Sequence, residues 1–224
     1  LERPEALEFA PGQFVNLALE IDGQRVKRSY SLASAPAARP EFYVNRVSGG
    51  ELTPGLFDLT QGAELQIDTT PQGFFTLDWV PPWGTQLWLV ATGTGLGPFV
   101  SMWRSGELAR FERIVVAHGV REQTHFGYAE ELDALSKRDS RFRYVKLVSR
   151  QPASSGILSG RITTALASGA LEATAETGVD PEHSHFMLCG NPAMIKELSG
   201  LLLARGLRKN RRREPGHLTT EKYW

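Results

Sequence analysis

Cysteine is nearly absent from this chain: Cys189 is the only one in 224 residues. That excludes an intrachain disulfide and any iron–sulfur or zinc centre built from several of its own thiolates, and it points to a reducing, cytoplasmic compartment. Net charge is lacking too. With 25 basic and 25 acidic residues, no whole-molecule field draws nucleic acid or an anionic membrane as the main partner. No apolar run approaches the length of a membrane span, and the N-terminus lacks the basic-then-apolar pattern of a secretion signal. The chain opens at Leu1 rather than Met, so further residues are expected upstream. His118, His125, His183, His185 and His217 lack the partners and spacing of a zinc site, so no metal is expected. Internal repeats and low-complexity segments are missing as well. What remains is an ordinary globular composition, 41% hydrophobic and 22% charged, long enough for one large domain or two small ones.

The most informative stretch runs from Leu87 to Trp103. Leu87-Trp88-Leu89-Val90-Ala91 is a short apolar run suited to a buried parallel strand. The glycine-rich turn Thr92-Gly93-Thr94-Gly95-Leu96-Gly97-Pro98 follows, and Phe99, Met102 and Trp103 then fit one face of a helix. Strand, glycine turn and helix together form a pyrophosphate cradle: glycines admit the anion to the backbone, and the helix start offers unpaired N–H groups. Gly-rich strings alone are mostly turns, but between a strand and a helix the nucleotide reading outweighs that.

Upstream, the period is short. Gln13–Ile21 reads as a strand turned by Asp22-Gly23, with further strands at Val26–Ala33, Glu41–Val47 and Glu64–Asp68 and a short helix over Leu52–Leu59. This predicts a small antiparallel β-barrel over residues 1–83, ended by Pro81-Pro82-Trp83-Gly84. From 84 to 224 strands alternate with helices. Strands are expected at 87–91, 113–118, 142–148 and 185–189, and helices near 97–105, 127–137, 161–168 and 192–205. That is a doubly wound parallel α/β sheet, with ligands at the carboxyl ends of its strands. Met194, Ile195, Leu198, Leu201 and Leu202 repeat at helical spacing and read as core.

In Arg28-Ser29-Tyr30-Ser31, alternation puts Arg28 and Tyr30 on one face and the serines on the other. An arginine fork suits a diphosphate and a tyrosine ring a flat heterocycle. Taken alone, the stretch reads more simply as an exposed strand with a solvated arginine and a half-buried tyrosine. Arg28-x-Tyr30-Ser31, Gly50-x-x-Thr53, Gly93-x-Gly95-x-x-Pro98, Cys189-Gly190-Asn191-Pro192 and the terminal Glu221-Lys222-Tyr223-Trp224, taken in order, resemble the ferredoxin–NADP reductase family and its bacterial ferredoxin/flavodoxin branch. The likeness spans nearly the whole chain. One departure stands out: at most about ten residues precede Ala10-Pro11-Gly12-Gln13-Phe14, where the family's first barrel strand lies. That strand is expected to be absent or shortened, leaving an open edge.

The resemblance implies that the barrel binds FAD: Arg28 the pyrophosphate, Tyr30 the isoalloxazine, and Ser31 the region of the nitrogen that accepts hydride. It places Tyr43 in the strand beside the flavin, and Gly50, Leu52 and Thr53 on the same pyrophosphate. Thr92, Gly93, Thr94, Gly95, Pro98 and Gly190 fall in the NADP(H) motifs. Cys189 and, with it, Glu221 would lie by the nicotinamide, while Tyr223 and Trp224 would cover the flavin or its adenine. The residues themselves argue for NADPH. An NAD site commonly carries an acid about 20 positions after the glycines, whereas His118-Gly119-Val120-Arg121 brings a cation, although Glu122 follows. Ser149-Arg150 matches the family's grip on the 2′-phosphate, and Arg161 lies where a second cation is expected. The single cysteine, ending a buried strand, carries no sign of thiolate activation.

Arg208-Lys209-Asn210-Arg211-Arg212-Arg213 holds five cations in six residues. Such runs are usually solvated loops; here the run suits steering of a small acidic carrier, as ferredoxins and flavodoxins are. The expected activity is hydride transfer between NADPH and FAD, with single electrons passed between FAD and ferredoxin or flavodoxin, by a cytoplasmic monomer. Two alternatives stand beside it: an NADH-dependent reductase serving an oxygenase, and a non-catalytic flavin- or nucleotide-binding regulatory module.

Overall fold

The computed structural model describes residues 1–2 and 4–223. Internal packing divides the chain into two units. One comprises Leu1–Leu77 with Gly97–Glu107; the other comprises Asp78–Leu96 with Leu108 to the C-terminus.

In the first unit, β1 (Phe14–Ile21) and β2 (Gln24–Ser31) form an antiparallel hairpin in register from Phe14↔Ser31 to Ile21↔Gln24. Its two-residue turn places Asp22 at φ 51° and Gly23 at φ 74°. Two consecutive positive φ values match the right-handed twist of the strands, which is why Asp-Gly suits this turn. The helix α1 (Thr53–Asp58) follows, and β3 (Gln66–Ile67) pairs with the other edge of β1. Isolated bridges Phe14↔Gln72 and Leu32↔Phe42 extend the antiparallel pairing. The strand expected at Glu41–Val47 is confined to that bridge at Phe42. Beyond it the backbone enters a turn at exposed Val47, its carbonyl accepting from the Gly50 N–H at 3.0 Å and its N–H donating to the Thr53 hydroxyl at 3.0 Å. Residues 4–10 form no strand, yet Leu7 is fully buried and packs with Phe9, Val15, Leu17 and Leu32 in this unit's core.

The helix α2 (Gly97–Arg104) also belongs to the first unit. Its Ser101 hydroxyl donates to the Ser34 carbonyl at 2.7 Å. Arg104 donates to the Ala33 carbonyl at 3.1 Å and to the Glu41 carboxylate at 2.9 Å. Phe99 packs on Phe75, with ring centroids 5.7 Å apart.

The second unit is a six-stranded parallel sheet. Its strands are β4 (Gln86–Thr92), β5 (Arg113–Val120), β6 (Phe142–Val148), β7 (Ile157–Ser159), β8 (Ser184–Gly190) and β9 (Leu218–Lys222), in the order β7-β6-β5-β4-β8-β9. The central strands are apolar because both faces are covered. On one face Trp88, Val90, Val115, Ala117, Val145, Leu147, Phe186 and Leu188 meet α4 (Ile162–Ala167), α5 (Ala170–Ala175) and α6 (Pro192–Ala204) in a continuous core. Trp88 stacks on Phe186 at 5.2 Å. Toward the other face, α3 (Ala129–Arg138) ties to β6 through the Asp133–Lys146 ion pair at 2.8 Å. Asn191 caps α6 by accepting from the N–H groups of Ala193 and Met194, with Pro192 at the first helical position.

Candidate active site

In the first unit the hairpin register puts Arg28 opposite Leu17 and Tyr30 opposite Val15, so both share the core-facing side of the sheet, as alternation requires. Tyr30 packs against the apolar cluster, and burial raises its phenol pKa against the opposing effect of Arg28. Arg28 stays exposed and pairs with Glu51. An exposed pair of this kind contributes only about 0–1 kcal/mol, so a diphosphate can displace Glu51 at little cost. Ser31 is buried, and its backbone and Cβ lie near Gly97, as does the Cβ of Tyr43. Leu52 buries its side chain directly before α1. The hydroxyl of Thr53 is engaged in holding the Val47–Gly50 loop, so its observed role is to shape that loop.

In the second unit the turn after β4 and the end of β8 interlock. A Cβ on Gly95 would stand 2.6 Å from the Cys189 carbonyl oxygen and 2.9 Å from the Gly190 Cα. One on Gly190, at φ 120°, would stand 2.4 Å from the Thr92 hydroxyl. That hydroxyl accepts the Asn191 N–H at 2.8 Å. Glycine is required at both positions, for close approach at the first and for a left-handed φ as well at the second. Gly93 and Thr94 lie half-buried in the 3-10 turn Gly93–Leu96, whereas Pro98 is buried in α2 and belongs to the first unit.

Across the carboxyl end of the sheet, register aligns Lys146, His118, Ala91, Cys189 and Glu221 in one row over five strands. Aligned residues of a parallel sheet share a face, and alanine at the centre keeps the row open between His118 and Cys189. Burial pushes the Cys189 thiol well above its ordinary pKa and the Glu221 charge adds to this, while a hydrogen bond from Tyr223 works against them. The thiol is therefore protonated and no nucleophile. The backbone N–H of Tyr223 donates to the Gly190 carbonyl at 3.0 Å, so the C-terminal motif is zipped to β8. Trp224 lies outside the described residues.

Arg121, Ser149, Arg150 and Arg161 cluster where β5, β6 and β7 end. The Arg150 N–H donates to the Arg121 carbonyl at 2.9 Å, and the Ser149 backbone N–H and hydroxyl both donate to the Val120 carbonyl. Gly160 donates to the Val148 carbonyl at 2.7 Å, directly before Arg161. Among the described residues none of the three guanidinium groups has an ion-pair partner, a disposition suited to a phosphate dianion. The basic run forms a bend closed by mutual backbone bonds between Arg211 and Glu214, with Arg211, Arg212 and Arg213 exposed.

Two buried histidines outside these motifs anchor the site's backbone. His118, fully buried, places Nε2 at 2.9 Å from the Gly93 carbonyl and Nδ1 at 3.4 Å from the Tyr144 hydroxyl. Burial pushes its pKa down to about 4. His185, pushed to about 3 by burial, donates from Nδ1 to the Gly216 carbonyl and meets the Thr219 hydroxyl at 2.9 Å. The same hydroxyl accepts from Asn210 at 3.1 Å. A signal existed: a histidine closing an apolar alternation such as Ile114-Val116-His118 must be buried and so must find partners.

Residues 1–76 match the oxidoreductase FAD-binding domain family and residues 89–199 the oxidoreductase NAD-binding domain family. The flavodoxin/ferredoxin–NADP reductase of Escherichia coli (strain K12) is 43% identical over 97% of this chain and 89% of its own. A ferredoxin–NADP reductase of Pseudomonas aeruginosa is 34% identical over 98% and 88%. Among solved structures, a ferredoxin NADP+ reductase from Neisseria gonorrhoeae with bound FAD and NADP superposes with a TM-score of 0.93 at 31% identity, over 99% of this chain and 89% of that one. Among the described residues no helix is long and apolar enough to cross a membrane. The interlocked glycine turns, the row of aligned side chains and these likenesses agree: the chain belongs to the flavodoxin/ferredoxin–NADP reductase family.

Proposed function

We propose that this protein is an FAD-dependent reductase that moves a hydride between NADPH and FAD and single electrons between FAD and ferredoxin or flavodoxin, as a cytoplasmic monomer. The observation that carries this reading is the placing of Arg121, Arg150 and Arg161 on the loops after β5, β6 and β7, with no ion-pair partner among the described residues, at the same end of the sheet as the close-packed Gly95–Cys189–Gly190 turn. Along the chain we assign residues 1–83 to FAD and 84–224 to NADP(H). The flavin supplies the ability to take two electrons as hydride and release them one at a time. Arg28 binds its pyrophosphate by giving up Glu51, with Gly50, Leu52 and Thr53 shaping the adjoining loop. Tyr30 offers its half-buried ring to the isoalloxazine beside Tyr43, and Ser31 offers a hydroxyl near the hydride-accepting nitrogen.

For the second nucleotide, Thr92, Gly93, Thr94, Gly95 and Gly190 accommodate the pyrophosphate, and Arg121, Ser149, Arg150 and Arg161 grip the 2′-phosphate. Cys189, held protonated, and Glu221 line the nicotinamide position. No acid–base triad is needed, because the residues orient rings and exclude water. The exposed arginines at 211–213 steer an acidic carrier. An absorbance spectrum of the purified protein before and after NADPH, without oxygen, tests the reading. A flavin spectrum that bleaches with NADPH and far less with NADH is expected. A colourless protein that takes up no FAD, or one that bleaches equally with NADH, would refute it.

A further inference from the structure

His118 does no chemistry in the scheme above, yet it is fully buried and its ring contacts the glycine turn at the Gly93 carbonyl. It sits near the carboxyl end of β5, in the row between Lys146 and Ala91. Burial leaves it neutral. Lys146 is tied to Asp133 by bonds of 2.8 and 2.9 Å, the Tyr144 hydroxyl lies at Nδ1, and the Phe126 ring packs edge-on at 5.5 Å. A carbonyl oxygen can only accept, so the proton lies on Nε2 and is donated to Gly93. The Gly93 peptide is thereby oriented. In a trans peptide the C=O and the following N–H point in opposite directions. With the Gly93 carbonyl drawn down to the ring, the Thr94 N–H is directed away from it. Gly93 itself, at φ 53°, lacks the side chain that would otherwise hold such a peptide in one orientation. A flipped peptide would present a carbonyl oxygen where an anion needs a donor.

We propose that His118 is a positioning residue for the nicotinamide dinucleotide, its Nε2–H fixing the Gly93 carbonyl inward so that the turn offers N–H groups to the pyrophosphate. This rests on the NADPH reading given above. The imidazole touches neither the nucleotide nor the flavin in this role; it acts through one peptide plane. Its contribution should fall on ligands that carry a pyrophosphate and spare those that engage only the arginine cluster.

The test compares NADP+ with adenosine 2′-monophosphate, which has the 2′-phosphate and no pyrophosphate, by calorimetric titration of the FAD-loaded protein. His118→Leu removes the donor. His118→Gln carries an amide that reaches about as far as Nε2 and restores it. Loss of one neutral hydrogen bond predicts a Kd for NADP+ raised roughly 3- to 10-fold in His118→Leu. The Kd for adenosine 2′-monophosphate should hold, and His118→Gln should return NADP+ binding toward wild type. If His118→Leu does not fold, His118→Asn takes its place, because its amide stops short of the Gly93 carbonyl. Unchanged NADP+ binding, equal weakening of both ligands, or a Gln variant no better than Leu would each overturn the proposal while leaving the NADPH reading intact. Wild-type protein that binds neither ligand would overturn that reading, and this proposal with it.

Discussion

Replacing Gly95 by alanine tests the interlock most directly. The added methyl would meet three backbone atoms: the Cys189 oxygen at 2.6 Å, the Cys189 carbon at 2.8 Å and the Gly190 Cα at 2.9 Å. None of them can rotate away as a side-chain tip could. Reaching an ordinary contact of 3.4 Å to the carbonyl oxygen requires a displacement of about 0.8 Å. β8 is poorly placed to give, since it is hydrogen-bonded to β4 on one side and β9 on the other, and Gly190 is already pressed on Thr92. Overpacking of this kind costs about 1–3 kcal/mol. At this length each kcal/mol moves Tm by about 2–4 °C, so a fall of about 2–12 °C is expected by scanning calorimetry. Gly97→Ala, two residues on, is the control. Its Cβ would meet nothing closer than 3.7 Å, and alanine is the better helix former, so its Tm should match or exceed wild type. A Gly95→Ala protein melting within a degree of wild type, or a Gly97→Ala protein melting lower than Gly95→Ala, would refute the reasoning.

Arg150→Ala should lower the NADPH preference over NADH, measured as the ratio of kcat/KM values, by about 10- to 100-fold, the loss of one charge-assisted bond to a phosphate; an unchanged ratio removes Arg150 from that role. Thr219→Val, of equal volume, strips the shared hydroxyl from His185 and Asn210 and should cost about 1–3 kcal/mol in thermal melts while exposing the C-terminal segment to proteolysis; a variant as stable as wild type would show that the network does not hold β9. His118 and His185 are neutral in the fold, at about 4 and about 3, against 6.5 when exposed. Depressed histidine values make the unfolded chain the better proton binder, so stability is fully present above pH 6.5 and falls by about 1.4 kcal/mol per pH unit per histidine as pH drops toward 4. Melts of His118→Leu across that window should show a slope smaller by about one proton, and an identical slope would contradict burial of the neutral form. The rate of electron transfer to flavodoxin should fall steeply with ionic strength, and less so in a protein with Arg211, Arg212 and Arg213 replaced by glutamine; a wild-type rate indifferent to salt would remove the basic run from steering.

Elements with strong periodicity were legible in the sequence: β4, β5, β6, β8 and α6 lie within a residue or two of expectation because each buries a long apolar pattern. The missed elements carry little pattern. β7 is three residues long. α5 is severed from α4 by Gly169 at φ 79°, which restarts the helix after a turn. β9, Leu218-Thr219-Thr220-Glu221-Lys222, has a single apolar residue, and a tail of that composition reads as frayed. It is a strand because β8 offers it an open parallel edge. Asn210 and His185 supply polar anchors from segments 8 and 33 residues before Leu218, which no local window contains.

The same distinction separates the motifs from the site they build. The glycines and arginines were readable one by one, since each type has its own reason to stand in a turn or at a strand end. Their meeting depends on register. Glu221 faces the Cys189 row only because β9 pairs Cys189↔Glu221; a slip of one residue would bring Thr220 or Lys222 to that position and turn Glu221 to the opposite face. Three contacts oppose the slip: Thr219 on His185, the Asn210 amide on the same hydroxyl, and the Tyr223 N–H on the Gly190 carbonyl. They bracket Glu221 on both sides. A buried histidine at each of two points, one beneath the glycine turn and one beneath the terminal strand, thus fixes in place the backbone that presents the site. Neither needs to touch a cofactor to decide whether the row across the sheet exists.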